Sequence, residues 1–160
     1  MRNARQAGSE IDMNPSLLAM LAVVFGGAAT ALQAPTNAKM MGAVGSPVNA
    51  AFVSFAVGTA ALGILALVLQ TRPDLAASRA LPWYAWVGGL YGAIFVVAAA
   101  WGVPRLGVAT TIILMVAGQL LLSVVLDHFG AMGMPKQPIS PGRVVGIGLV
   151  IAGVLMVRKF

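Results

Sequence analysis

Five stretches of the chain are apolar and long enough to cross a bilayer as helices. A spanning helix needs about 20 mostly apolar residues, and glycine, proline and charged residues interrupt the apolar pattern at such intervals. The predicted spans cover residues 16–37, 48–69, 83–101, 105–128 and 142–158. A cleaved signal peptide in place of the first span is disfavoured, because Glu10 and Asp12 interrupt the basic region before it. The pattern predicts an all-α integral membrane protein, with a polar N-terminal extension (1–15) before a five-helix transmembrane domain (16–160).

The composition supports this class and removes several chemistries. Of 160 residues, 59% are apolar and only 9% are charged, whereas soluble domains are about 25% charged. The chain has no cysteine and a single histidine, which excludes disulfides and thiolate sites and makes a histidine-built metal site implausible. We therefore expect no metal and no other cofactor.

The basic excess is better explained by lipid than by nucleic acid. Ten Lys and Arg against four Asp and Glu give a net charge of +6, which by itself is compatible with nucleic-acid binding. The basic residues, however, stand at the edges of apolar runs, where they contact anionic headgroups. Membrane lipid is thus an expected partner, and nucleic acid is not.

The loop charges specify the orientation of the chain only weakly. With five spans the termini lie on opposite sides of the membrane. The side of the N-terminus carries six basic residues: Arg2, Arg5, Arg72, Arg79, Lys136 and Arg143. The opposite side carries four: Lys39, Arg105, Arg158 and Lys159. Six against four slightly favours a cytoplasmic N-terminus, and insertion in both orientations remains open.

Polar residues recur at helical spacing on two spans. On the first, one face holds Gly26, Thr30, Gln33 and Asn37. On the fourth, every fourth residue forms a stripe: Thr111, Met115, Gln119, Ser123 and Asp127. Because exposed polar groups are costly in hydrocarbon, such faces turn towards protein or an aqueous path. The alternatives are that Gln33 and Asn37 only end the first helix, and that the stripe only holds the bundle together.

These stripes supply the candidate site residues. Substrate contacts are expected from Gln33, Asn37, Gln119 and Ser123, while coupling or gating is expected from Asp127, His128 and Arg143. For Asp127 the alternatives are a bound cation or proton, an ion pair with Arg143, or simple solvation at the interface.

Small residues form a second pattern, read first as close helix packing. The packing candidates are Gly58, Gly88, Gly92, Gly118 and Gly146. In the third span the glycines lie beside Tyr91 and Phe95, so a shallow pocket for a flat or amphiphilic molecule is the alternative. Tyr91 and Phe95 are accordingly added to the substrate-binding candidates.

Several of these stretches together resemble a known family. They are Gly26-Gly27 with Gln33-Ala34-Pro35-Thr36-Asn37, Val103-Pro104-Arg105-Leu106-Gly107, Ala117-Gly118-Gln119 and Asp127-His128-Phe129-Gly130. Their order resembles the bacterial YdcZ-type branch of the drug/metabolite transporter superfamily over nearly everything after residue 16. The resemblance implies a bacterial inner-membrane protein with five helices per chain, forming half of an inverted-repeat bundle. By analogy two copies would form an antiparallel homodimer, but the resemblance names no substrate.

The predicted function is an inner-membrane transporter, an exporter of small metabolites or drug-like compounds that works by alternating access in a dimer. The resemblance also implies an absence, since the membrane carboxylate that four-helix multidrug exporters carry in their first span is missing here. This argues against simple proton-coupled export of cations. An enzyme is not expected, because HExxH, GxSxG and paired membrane aspartates are missing from the sequence. A non-transporting structural or assembly subunit remains the alternative.

Overall fold

A computed structural model describes residues 14–159 of the chain, and this part is helical. Its helices are α1 (Pro15–Val44), α2 (Pro47–Val68), α3 (Leu75–Arg79), α4 (Gly88–Leu106), α5 (Val108–Phe129) and α6 (Pro141–Lys159). Within the described residues, all of these except the short α3 are long and apolar enough to cross a membrane. The predicted all-α fold with five spanning helices is confirmed. Residues 1–13 of the predicted polar extension lie outside the described part.

Local chemistry explains the two tight connections on the side of the membrane opposite the N-terminus. α1 ends at Gly45, whose φ of +81° lies in the left-handed region that favours glycine. Ser46 then begins α2, because its hydroxyl accepts a hydrogen bond from the Asn49 N–H at 3.0 Å and Pro47 occupies the first helical turn. Between α4 and α5 a single residue, Gly107, also with φ +81°, reverses the chain.

Four helix boundaries differ from the sequence prediction. The third span begins at Gly88 instead of residue 83, because Trp83–Trp86 forms a separate 3-10 turn whose two tryptophan rings are mostly exposed. The same span ends at Leu106 instead of residue 101. The first helix runs past residue 37 to Val44, and the fourth span begins at Val108, after the turn at Gly107. Pro35 lies inside α1, and Pro104 lies inside α4. Transmembrane helices tolerate proline where neighbouring groups compensate for the lost hydrogen bond.

The helices pack as a group of three with a hairpin at its side. α1, α2 and α4 contact one another, and α5 packs against α4 and α1. Among the described elements, α6 packs against α5 alone. One flank of the α5–α6 hairpin is therefore left without another helix of this chain.

Tight packing is confined to one end of the helix group. Nine residues of α1, α2, α4 and the start of α5 are buried: Ala34, Asn37, Ala50, Ala51, Val96, Ala99, Ala100, Gly102 and Thr111. All of them lie towards the end where α1 meets α2 and where α4 meets α5. On the side of the N-terminus, α1 before Ala34, α2 after Ala51 and α4 before Val96 contain no buried residue. The bundle is thus closed by small side chains at one end and loosely packed at the other.

Candidate functional site

The first polar cavity lies between α1, α4 and α5 and has a volume of about 120 Å³. It is lined by Gly27, Thr30, Phe95, Ile112, Met115, Val116 and Gln119. Two predicted substrate contacts, Phe95 and Gln119, therefore meet at the same place. The hydroxyl of Thr30 donates to the Gly26 carbonyl of its own helix at 2.9 Å, so it is satisfied without a ligand.

Gln33 lies at a different cavity, of about 200 Å³, between α1 and α2. Its Nε2 donates to the Ser54 hydroxyl at 3.4 Å, and Gly58 lines the same space. The expected grouping of Gln33 with Gln119 in one site does not occur within this chain. Ser54, the hydrogen-bond partner of Gln33, was not among the predicted site residues.

Asn37 lines neither cavity and is buried in the closed end, with 2% of its surface exposed. Its Nδ2 meets no hydrogen-bond acceptor among the described residues. Buried amide donors are usually paired, since leaving one unpaired costs about 1–3 kcal/mol. The Asn37 amide is therefore a buried donor for which the described residues supply no partner.

Helical geometry explains why the polar faces divide. A residue advances by about 100° around an α-helix, so Thr30 and Gln33 point about 60° apart, one towards α5 and the other towards α2. On α5 each four-residue step turns by about 40°, and the stripe from Thr111 to Asp127 turns through about 160°. The part of the stripe from Thr111 to Gln119 therefore faces α4 and α1, while the part from Ser123 to Asp127 faces α6.

The part of the stripe from Ser123 to Asp127 borders a groove between α5 and α6, with a volume of about 410 Å³. This α5–α6 groove is lined by Leu120, Ser123, Val124, Asp127, Arg143, Gly146, Ile147 and Val150. It brings together Ser123, Asp127 and Arg143, which sequence reasoning assigned to two different roles. No residue of α1, α2 or α4 lines it.

An ion pair lies at one end of the α5–α6 groove. The Arg143 Nη1 stands 3.3 Å from the Asp127 Oδ2, and the two side chains are 29% and 39% exposed. The same Nη1 donates to the backbone carbonyl of Gln137 at 3.3 Å, and Nη2 donates to the side-chain oxygen of Gln137. Of the alternatives for Asp127, the structure has the pair with Arg143. Within residues 14–159, no three His, Cys, Asp or Glu side chains are grouped to hold a metal ion.

Asp127 and His128 also attach the loop between α5 and α6. The backbone carbonyl of Asp127 accepts a hydrogen bond from the Gln137 N–H at 2.7 Å. The Nδ1 of His128 accepts one from the Ile139 N–H at 3.2 Å, and its ring packs edge-on against Phe129 at 4.9 Å. Sequence reasoning missed Gln137 and Ile139, because a proline-rich loop carries no periodicity that would reveal its contacts.

Only some predicted packing glycines lie at close approaches. A Cβ at Gly92 would stand 3.1 Å from the Phe55 ring, so α4 and α2 approach closely there. The missed position is Gly102, where a Cβ would stand 3.2 Å from the Thr111 methyl. At four predicted packing positions an added Cβ would have no described atom within 4 Å apart from the adjoining residues and backbone of its own helix: Gly58, Gly88, Gly118 and Gly146. Packing within one chain therefore does not explain these four glycines. Tyr91, 57% exposed, lines none of the three cavities.

Comparison with known proteins places this arrangement in a family. A family profile described as "Putative inner membrane exporter, YdcZ" matches residues 18–156. The chain belongs to this YdcZ family. Within it, Inner membrane protein YdcZ of Escherichia coli (strain K12) is 35% identical over 77 residues, 48% of this chain. The match spans about half of that relative, 51% of its length. No solved structure matches the chain.

Membership of the YdcZ family also gives the location. The profile and the relative both carry an inner-membrane description, and the described chain has five helices that could span a bilayer. The chain is therefore a multi-pass inner-membrane protein of an exporter family.

Proposed function

We propose that this protein exports small metabolites or drug-like compounds across the bacterial inner membrane by alternating access in an antiparallel homodimer. The description of the YdcZ family as an exporter family supports export as the activity. Substrate contacts are assigned to Gln119 and Phe95 in the α1–α4–α5 cavity, to Gln33 in the α1–α2 cavity, and to Asn37 when the closed end opens. Neutral amides recognise a ligand by hydrogen bonds and carry no titrating charge, so recognition depends little on pH.

The small size of the polar cavities is the main observation that supports the proposed dimer. The two cavities that hold Gln119 and Gln33 have volumes of about 120 and 200 Å³. Sites that enclose a small molecule usually measure about 300–1,000 Å³ and bury most of its surface. Each cavity is therefore smaller than such a site, and a second copy facing it would supply the remainder.

The uneven packing of the bundle supports alternating access. The end that contains Asn37 is closed mainly by alanine and glycine, and the opposite ends of the same helices, beyond Ala34, Ala51 and Val96, contain no buried residue. Two inverted copies would place one closed and one open end on each side of the membrane. If the closed and open ends of each copy exchange, the substrate site opens first to one side of the membrane and then to the other, as alternating access requires.

The loop charges support the antiparallel arrangement. Six basic residues against four leave little preference for either orientation. A parallel dimer, or a partner chain from another gene, would place the cavities differently. C-terminal fusions to a phosphatase active only in the periplasm and to a cytoplasmic fluorescent protein test this point. Activity from both fusions is expected, and activity from one alone contradicts the antiparallel dimer.

Transport is tested with the purified protein alone in liposomes. We expect flux of at least some members of a labelled panel of neutral and cationic amphiphiles, and loss of that flux in Gln119→Ala. Leu122→Ala is the matched control, because Leu122 lies on the same helix and lines none of the three cavities. Absence of flux for the whole panel in the wild-type protein would favour a structural or assembly subunit instead.

A further inference from the structure

The guanidinium of Arg143 has two N–H donors for which the described residues supply no acceptor. Arginine has five N–H donors, one on Nε and two on each Nη. The Asp127 carboxylate and the Gln137 carbonyl accept from Nη1, and the Gln137 side-chain oxygen accepts from Nη2. Among the described residues, no oxygen accepts a hydrogen bond from Nε, and one N–H of Nη2 remains. Nε and Nη2 form the side-on edge of the guanidinium, which binds a phosphate in bidentate fashion.

The α5–α6 groove continues from this edge as an apolar channel. Leu120, Val124, Ile147 and Val150 line it, and Gly146 leaves its floor open, with no atom within 4 Å of an added Cβ. From Arg143 to Val150 the groove runs about 10 Å along α6. This length accepts the upper part of a hydrocarbon chain while a polar head stays at Arg143.

The groove opens towards the bilayer. Only α5 and α6 line it, and α6 packs against no other described helix. Arg143 is the third residue of α6, and Asp127 lies two residues before the end of α5, so the ion pair stands at the depth of the headgroups. A molecule already in the leaflet reaches this position without crossing water.

The charges of the groove match a zwitterion better than an anion. A free phosphate on Arg143 would be repelled by the Asp127 carboxylate, which lies 3.3 Å from the guanidinium. A headgroup that carries an ammonium beside its phosphate places a positive charge next to Asp127, whose Oδ1 has no hydrogen bond among the described residues. We propose that the α5–α6 groove binds a zwitterionic aminophospholipid, its phosphate on Arg143, its ammonium beside Asp127 and one acyl chain along the apolar channel.

Native mass spectrometry of the full-length protein in detergent tests this proposal. After delipidation, the protein is titrated with short-chain phosphatidylethanolamine, with phosphatidylglycerol and with free phosphoethanolamine. We expect saturable binding of phosphatidylethanolamine, at least about tenfold weaker binding of phosphatidylglycerol, and no binding of free phosphoethanolamine. Equal binding of free phosphoethanolamine would mean a soluble ligand site and would overturn the proposal.

Two pairs of variants locate the site. Arg143→Lys keeps a positive charge but removes the bidentate edge, so about tenfold weaker binding is expected, while Arg79→Lys on the same membrane side should bind as the wild type. Gly146→Leu fills the groove without touching the ion pair and should abolish binding, whereas Gly148→Leu, on α6 but outside the groove, should not. Equal loss in both members of either pair, or in neither, contradicts the assignment. None of these readouts uses transport, so the result is independent of the proposed function.

Discussion

The imidazole Nδ1 of His128 accepts a hydrogen bond from the backbone N–H of Ile139 at 3.2 Å, across the loop between α5 and α6. This nitrogen must be unprotonated to accept, so the geometry assigns the remaining ring proton of a neutral His128 to Nε2. The bond anchors the proline-rich loop to the end of α5. The loop conformation therefore depends on an acceptor at this position.

His128→Leu should release the loop, and His128→Asn should retain it, because the asparagine oxygen stands close to the position of Nδ1. Loss of one hydrogen bond, worth about 1 kcal/mol, raises the rate of local opening roughly fivefold. Limited trypsin digestion after Lys136 measures that opening. Equal cleavage of the two variants would show that the His128–Ile139 bond does not hold the loop.

The pair of Asp127 and Arg143 should matter more for transport than for stability. Both side chains are partly exposed, at 39% and 29%, and solvent screens such pairs to about 1 kcal/mol or less. Asp127→Asn keeps the shape and removes the charge, so we expect the melting temperature to change little. Transport in liposomes should fall, because Arg143 loses its ionic partner at the end of the α5–α6 groove. Unchanged transport would make Asp127 a structural residue.

The close approach of α4 to α2 gives a stability prediction. A side chain at Gly92 meets the Phe55 ring at 3.1 Å, so Gly92→Leu should destabilise the protein by roughly 1–3 kcal/mol through overpacking. Gly118→Leu is the matched control, because no atom of the described chain lies within 4 Å of a Cβ there. Thermal unfolding of both variants in detergent is the measurement. An equal loss in Gly118→Leu would place a second copy of the chain at that face.

The sequence was sufficient to predict the spanning helices, because length and apolar content alone decide whether a segment can cross a bilayer. It was not sufficient to predict which helices contact one another. Lipid tails are as apolar as leucine, so an apolar face does not tell whether protein or lipid covers it. Gly92 and Gly118 illustrate this, since both belong to similar glycine patterns and only Gly92 lies against another described helix.

The candidate site shows a second limit. Four-residue spacing predicted that Thr111, Gln119 and Asp127 share one face, but Thr111 and Gln119 face α4 and α1, whereas Asp127 faces α6. The slow rotation of about 40° per step, small between adjacent members, accumulates along the helix. The contact between Asp127 and Arg143 was among the predicted alternatives because both residues flank the same loop. The separation of Gln33 from Gln119 could not be predicted, because it depends on how α1 is rotated in the bundle.

Water access to the α1–α4–α5 cavity can be measured on this chain, which has no natural cysteine. Gln119→Cys should react with a water-soluble maleimide, because residue 119 lines that cavity. Leu122→Cys, exposed on the same helix and outside the three cavities, should react only with a lipid-soluble reagent. The reverse pattern would mean that the polar face of α5 points towards lipid.

Asn37 should separate stability from function. Its amide is buried in the closed end, and its Nδ2 has no acceptor among the described residues. Leucine has a similar size and no polar group, so Asn37→Leu removes an unpaired donor that costs about 1–3 kcal/mol. The melting temperature in detergent should therefore rise or stay unchanged. Transport in liposomes should nevertheless be lost, because an unsatisfied amide in a closed end is available to bind once that end opens. A lower melting temperature would mean that a partner outside the described chain already binds the amide, and retained transport would remove Asn37 from the substrate path.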